Sequence, residues 1–163
     1  MEDQKQHIYD VLNKLGIKYE VVEHEPVHTM EDMDRLGLPK KGTLCKNLFL
    51  RDTKGKRHFL ITADEKSKVD LKSLARQLET SNVSFASAER LERYLKLKQG
   101  SVTPLGLIND KEHAVEFFID RSLLKAKSIG VHPCDNTATI FLSYQDLDKF
   151  LCSLDIDAIP IRF

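Results

Sequence analysis

Leu44-Cys45-Lys46-Asn47-Leu48-Phe49-Leu50-Arg51 and Arg57-His58-Phe59-Leu60-Ile61-Thr62 are the two apolar runs that decide the fold of this 163-residue chain. Between them lies Asp52-Thr53-Lys54-Gly55-Lys56, a short polar turn containing Gly, so the runs predict two strands, 44–51 and 57–62, joined as an antiparallel hairpin. Lys46 stands at the edge of the first run, where a half-buried ammonium is costly unless a polar or anionic group meets it. Strand alternation puts Lys46, Leu48 and Leu50 on one face and Cys45, Asn47 and Phe49 on the other. Lys46 and Asn47 therefore enter one cleft together only if the strand starts after Lys46 or a bulge re-aims it. The plainer alternative is an edge lysine that snorkels to water.

Outward from the hairpin, the pattern mixes helices and short strands. Ile8, Val11, Leu12 and Leu15, stopped by Gly16, predict an opening amphipathic helix, followed by a strand over 17–23. Thr29 with Asp32 caps a short helix carrying Met30, Met33 and Leu36. Asp70 caps a long helix through Leu71, Leu74, Ala75 and Leu78, and Ser87 precedes another through Leu91, Tyr94 and Leu95. Strands are expected over 102–108, 115–119, near Ile129 and over 138–142. Ser143 with Asp146 opens a closing helix, and 158–161 adds a last strand. There is no repeat and no regular βαβ alternation, so the expectation is α+β: a single domain over 1–163 with a mixed, largely antiparallel sheet flanked by helices.

Composition limits the function classes. Hydrophobic content of 41%, with 7 Gly and 5 Pro, suits one sizeable core without a linker. No apolar run reaches the roughly 18 residues of a membrane span, which points to a soluble, cytoplasmic protein. Cys45, Cys134 and Cys152 are spaced as neither a disulfide framework nor a zinc site. His24 and His28 are four apart, but Pro26 breaks any helix that would align them, so no metal and no cofactor is expected. A Cys134–His132 nucleophile pair lacks an orienting third residue. The net charge is zero, yet residues 40–98 carry 15 Lys/Arg against 7 Asp/Glu. Lys40, Lys41, Lys54, Lys56 and Arg57 are the candidate phosphate-facing residues, a solvated hairpin being the bland reading. A neutral chain with no DNA-reading motif is not expected to bind DNA.

Three segments carry a resemblance, in order along the chain: Cys45-Lys46-Asn47-Leu48-Phe49-Leu50, Gly100-Ser101-Val102-Thr103-Pro104-Leu105-Gly106-Leu107, and Gly130-Val131-His132-Pro133-Cys134-Asp135-Asn136-Thr137-Ala138-Thr139. Together they resemble the YbaK/prolyl-tRNA-editing family, which hydrolyses wrongly charged aminoacyl-tRNA. The resemblance implies that Lys46 is the catalytic residue, anchoring the terminal adenosine or its phosphate. It also implies that Asn47, Gly100, Ser101, Val102, Thr103, Pro104, Gly130, His132, Asn136 and Thr137 form the substrate pocket. The segments look most similar to the branch that clears alanine from proline tRNA, although His28 stands where the family often has an apolar residue. The expected activity is therefore trans-editing deacylation of alanyl-tRNA for proline, with tRNA as partner and prolyl-tRNA synthetase as a further one. The alternatives are a cysteinyl-tRNA deacylase and a non-catalytic module that binds tRNA or a synthetase. An ester needs only a polarised carbonyl and a held water, so one Lys, backbone N–H groups and neutral polar side chains suffice.

Overall fold

Each of five α-helices begins on a side chain that accepts a backbone N–H, which contributes about 1 kcal/mol per cap. In a computed structural model that describes residues 3–27 and 29–163, these helices are α1 (Gln4–Lys14), α2 (Met30–Arg35), α3 (Leu71–Gln77), α4 (Ala88–Leu95) and α5 (Tyr144–Ser153). Their caps are Asp3, Thr29, Asp70, Ser87 and Ser143. The last four are those expected from the sequence, whereas His28 lies outside the described residues. α3 has only 7 residues, shorter than its apolar spacing suggests.

Among the described residues, eight strands form one sheet: β1 (Glu20–Glu23), β2 (Thr43–Asp52), β3 (His58–Asp64), β4 (Val83–Phe85), β5 (Val115–Asp120), β6 (Ile129–Val131), β7 (Ala138–Leu142) and β8 (Ile159–Ile161). Their order is β1-β7-β6-β2-β3-β5-β8, with β4 added on β2. The predicted hairpin is β2–β3, antiparallel from Cys45 opposite Asp64 to Arg51 opposite His58. The β2–β6, β3–β5 and β5–β8 pairs are parallel, the others antiparallel, so the sheet is mixed.

Helices cover both faces of the sheet, which explains the nearly continuous apolar run of β3. On one face α1, α4 and α5 bury Ile8, Leu12, Leu91, Leu95, Leu147 and Phe150 against Phe49 and Leu60. On the other, α3 packs Leu74 and Leu78 on Leu48, Leu50, Phe59 and Ile61. A small third cluster joins Leu38, Leu44 and Phe141, with Met33 of α2 against it. Among the described residues, no helix is long and apolar enough to cross a membrane.

Two expectations are corrected. The 102–108 run is not a strand: Pro104–Asn109 form a 3-10 helix in which Pro104, Leu105, Gly106 and Leu107 are all buried. Thr103 Oγ1 accepts the Leu105 N–H and Pro104 occupies the first turn, a helix-start signal that outranks the apolar run. The second correction concerns Lys46. β2 is regular through it, with Lys46 opposite Ala63 and Asn47 opposite Thr62, so there is neither a late start nor a bulge.

Candidate active site

The site is a gap in the sheet. On the edge of β2 away from β3, Thr43 and Leu44 pair with β6, and Leu50, Arg51 and Asp52 pair with β4. Among the described residues, no strand pairs with the intervening stretch on that edge. Thr43 N–H donates to Ser128 O at 2.9 Å, and Phe49 O accepts Ala86 N–H at 2.9 Å. Backbone groups alternate in direction along a strand, so the N–H and C=O of Cys45 and Asn47 also face this gap. The gap is a narrow cleft, with a volume of only about 10 Å³, lined by Met33, Leu44, Cys45, Asn47, Gly130, Val131, His132 and Thr139. Gly130 is required by close approach: a Cβ there would lie 2.8 Å from the Phe141 ring and 2.9 Å from Leu44 Cδ2.

His132 faces the open edge of β2 across the cleft. Its Nδ1 lies 2.9 Å from Ala138 O. A carbonyl only accepts, so Nδ1 carries the proton and Nε2 keeps its lone pair. Burial holds the imidazole below its ordinary pKa, and nearby His24 pushes in the same direction. The His24 ring sits edge-on at 6.4 Å. By the same logic His24 donates from Nδ1 to Glu25 O at 2.7 Å, so its Nε2 accepts the Thr139 hydroxyl at 2.9 Å. The buried Thr62 hydroxyl donates to Asn47 Oδ1 at 2.6 Å, fixing that amide. Burial disfavours the thiolate, the nucleophilic form, at Cys45 and Cys134. Burial pushes the Cys45 thiol up, and the Cys134 thiol up to about 12.

Lys46 leaves β2 between the two cleft residues but does not line the cleft. Its ammonium donates to the Ser67 carbonyl in the turn after β3. That turn is fixed by Asp120, a residue only 3% exposed. Asp120 Oδ2 accepts Ser67 Oγ at 2.6 Å and Asp64 N at 3.1 Å, and its Oδ1 accepts Ser122 N at 2.9 Å and Oγ at 2.8 Å. Burial raises the Asp120 carboxyl, but these bonds from Ser67, Ser122 and Asp64 outweigh it and hold the group below the usual carboxylate range. Burial also raises the Glu65 carboxyl in the same turn, with the Lys46 charge opposing.

The other expected residues divide. Asn47, Gly130 and His132 meet in the cleft, while Gly100 and Asn136 do not line it but meet each other, the Gly100 Cβ position lying 3.6 Å from Asn136 Nδ2. Gly100 has φ +90°, which only glycine adopts readily. Thr137 Oγ1 donates to Asp135 at 2.5 Å and accepts from Lys5 at 3.1 Å. Ser101, Thr103 and Pro104 are buried, with Val102 half-buried, and Ser101 N–H closes a turn on Lys98 O. The basic residues do not form one patch. Lys40 and Lys41 precede β2, whereas Lys54 and Lys56 follow it, roughly 30 Å away along a ten-residue strand. Arg57 is held by Glu116 through two bonds of 2.9 Å and lies over the Phe59 ring. Sequence reasoning missed His24, Met33, Thr62, Thr139 and Asp120, since nothing local marks them. Among the described residues, no group of three or more His, Cys, Asp or Glu is placed to hold a metal ion.

Known proteins resemble this arrangement. Residues 24–150 match the family described as the aminoacyl-tRNA editing domain. The chain is 44% identical over 149 residues to the prolyl-tRNA editing protein ProX of Acetoanaerobium sticklandii, covering 91% of both chains. It is 36% identical over 156 residues to prolyl-tRNA synthetase associated domain-containing protein 1 of Bos taurus, covering 93% of this chain and 91% of that one. A solved structure described as a candidate trans-editing enzyme for prolyl tRNA synthetase superposes with a TM-score of 0.72 at 17% identity, covering 100% of this chain and 99% of the other, a likeness of fold. Family match, extensive identity and shared fold agree: the chain belongs to the aminoacyl-tRNA editing domain family.

Proposed function

We propose that this protein is a trans-editing enzyme that hydrolyses the ester of mischarged proline tRNA, with alanyl-tRNA as its substrate. The observation that carries this reading is the open edge of β2 at Cys45 and Asn47 facing His132 across a small cleft, in a chain of the editing family. Backbone N–H groups on that edge can donate to the ester carbonyl as it gains negative charge, and its C=O groups can accept from the ammonium of the amino acid. The free lone pair of His132 Nε2 can hold a water, or the amine or a hydroxyl of the substrate. Lys46, on a flexible stem, can exchange the Ser67 carbonyl for the terminal adenosine or its phosphate and so place the ester. Water oxygen then bonds to the carbonyl carbon and the C–O bond to the ribose breaks. The ribose oxygen takes a proton, releasing alanine and intact tRNA. In this reading Gly100, Ser101, Val102, Thr103, Pro104, Asn136 and Thr137 are further substrate-binding residues, supported by the approach of Gly100 to Asn136.

Cleft size supports alanine. A proline-activating site discriminates weakly against a smaller side chain, since a methylene or two is worth only about 1–3 kcal/mol. A cleft of only about 10 Å³ with Met33, Leu44 and Val131 in its wall leaves room for a group no larger than a methyl and opposes a proline ring by overlap. Prolyl-tRNA synthetase is a proposed partner, on the strength of the cattle relative's name. The test is a deacylation panel of alanyl-, cysteinyl-, seryl- and prolyl-tRNA carrying the proline anticodon. The alanyl ester is expected to be cleaved fastest and the prolyl ester spared. Preference for cysteinyl-tRNA would reassign the amino acid, and no hydrolysis of any of the four would leave a binding module.

A further inference from the structure

We propose that the cleft rimmed by Lys40, Lys41, Lys66 and Lys127 seats phosphates of the single-stranded 3′ end of the tRNA, a proposal that rests on the editing function argued above. Three segments distant in sequence build this cleft of about 430 Å³: the 39–44 corner entering β2, the 64–66 turn after β3, and the 126–128 loop before β6. Lys66 and Lys127 lie far from any charge run that includes Lys40 and Lys41, and only the fold brings the four together. All four are exposed. Among the described residues, Lys40, Lys66 and Lys127 have no ion-pair partner, and Lys41 has one on the surface, Glu20 at 2.6 Å. Such an exposed pair is weak enough for a phosphate to compete.

Position favours a single strand leading to the ester. The lysine-rimmed cleft shares Leu44 with the gap in the sheet, and its wall is the turn whose Ser67 carbonyl receives Lys46. A nucleotide chain ending at the gap therefore has cations beside its preceding phosphates. Two carboxylates, Asp64 and Glu65, also line this cleft. Asp64 Oδ1 is occupied by the Lys66 N–H at 3.0 Å, which turns part of its charge into the turn itself. Four lysines against two acids make a modest electropositive groove. That suits a few phosphates of a strand already placed at its end and gives little attraction for nucleic acid in general.

The test is binding of uncharged proline tRNA, and of the same tRNA trimmed of its unpaired 3′ nucleotides, across a salt series. The proteins compared are the full chain, the Lys66→Ala/Lys127→Ala variant and the Lys54→Ala/Lys56→Ala variant. Exposed lysines of this kind are replaceable without loss of fold. The cleft variant is expected to bind intact tRNA about tenfold more weakly at low salt. Its log–log salt slope is expected to be shallower by about 1.4, two single-strand phosphates at roughly 0.7 each. Trimming should abolish the difference, and the hairpin variant should behave as the parent. An unchanged slope in the cleft variant would overturn the proposal. So would a loss that persists on trimmed tRNA, which would place these lysines against the acceptor duplex. Hydrolysis is read separately: a chain that binds as expected but cleaves no mischarged proline tRNA fails the editing function alone, whereas one that cleaves it with lysine-independent binding fails only the cleft.

Discussion

Replacing Asp120 by Asn should destabilise the fold by about 3 kcal/mol and slow hydrolysis, although Asp120 does not line the cleft. The carboxylate accepts four hydrogen bonds, two at each oxygen, at 2.6–3.1 Å. Asn keeps one oxygen but sets an NH₂ against two donors, so about two bonds to a charged acceptor are lost, each worth about 1.5–3 kcal/mol, less whatever the serine hydroxyls recover by turning. The assay is urea unfolding, read as a shift in midpoint at unchanged slope. The Asp120 carboxyl is held low in the folded chain, so as pH falls the unfolded chain takes up this proton first. The stability difference between parent and variant should thus be complete above the ordinary carboxylate value of about 4 and vanish as pH falls through the folded value. Hydrolysis should fall because the 64–67 turn loses its anchor and with it the resting place of Lys46. A variant within about 0.5 kcal/mol of the parent, the spread typical of surface substitutions, would refute the reasoning.

Three further outcomes follow from the site. His132→Asn keeps a donor for Ala138 O but removes the Nε2 lone pair, so hydrolysis should fall about tenfold to a hundredfold with the fold retained; a parental rate would remove His132 from the mechanism. Because burial depresses the His132 pKa, the rate of the parent should decline with acid only below the usual histidine value of about 6.5, and an inflection above it would contradict the neutral imidazole. Gly130→Ala forces a Cβ to within 3 Å of Phe141 and Leu44, an overpacking expected to cost about 1–3 kcal/mol and narrow the cleft, and an unchanged unfolding midpoint would show that the cluster yields freely. Hydrolysis should survive exhaustive chelation, since among the described residues no three His, Cys, Asp or Glu are placed to hold a metal ion and a polarised ester needs no metal-bound hydroxide; loss on chelation with recovery on adding zinc would overturn this.

Local chemistry was legible in the sequence and long-range placement was not. The Thr29, Asp70, Ser87 and Ser143 caps and the β2–β3 hairpin depend on residues within a few positions of one another, and each appears where the sequence puts it. The 102–108 run reads as a strand because apolarity alone does not separate strand from buried 3-10 turn, and the Thr103-Pro104 start signal was the deciding clue. β4 escaped notice because three residues with Phe85 largely exposed carry almost no pattern. For the site, the sequence supplied the segments but not their geometry. Alternation along β2 correctly separates Lys46 from Asn47, yet the gap arises from where β6 stops and β4 begins, pairings set by residues some 30–90 positions away. Asp120 reads locally as the end of a strand, and its hold on Ser67 spans 53 positions.

The most direct test of the central claim is single-turnover hydrolysis of alanyl-tRNA carrying the proline anticodon by the parent, Lys46→Ala and Lys46→Arg, with thermal unfolding measured alongside. Lys46 makes one hydrogen bond from a half-buried position, so its loss should move the unfolding midpoint little. The account predicts rapid hydrolysis by the parent, severe loss in Lys46→Ala, and poor recovery in Lys46→Arg, whose planar guanidinium cannot take the place of a compact ammonium. Near-parental hydrolysis by both folded variants would contradict it.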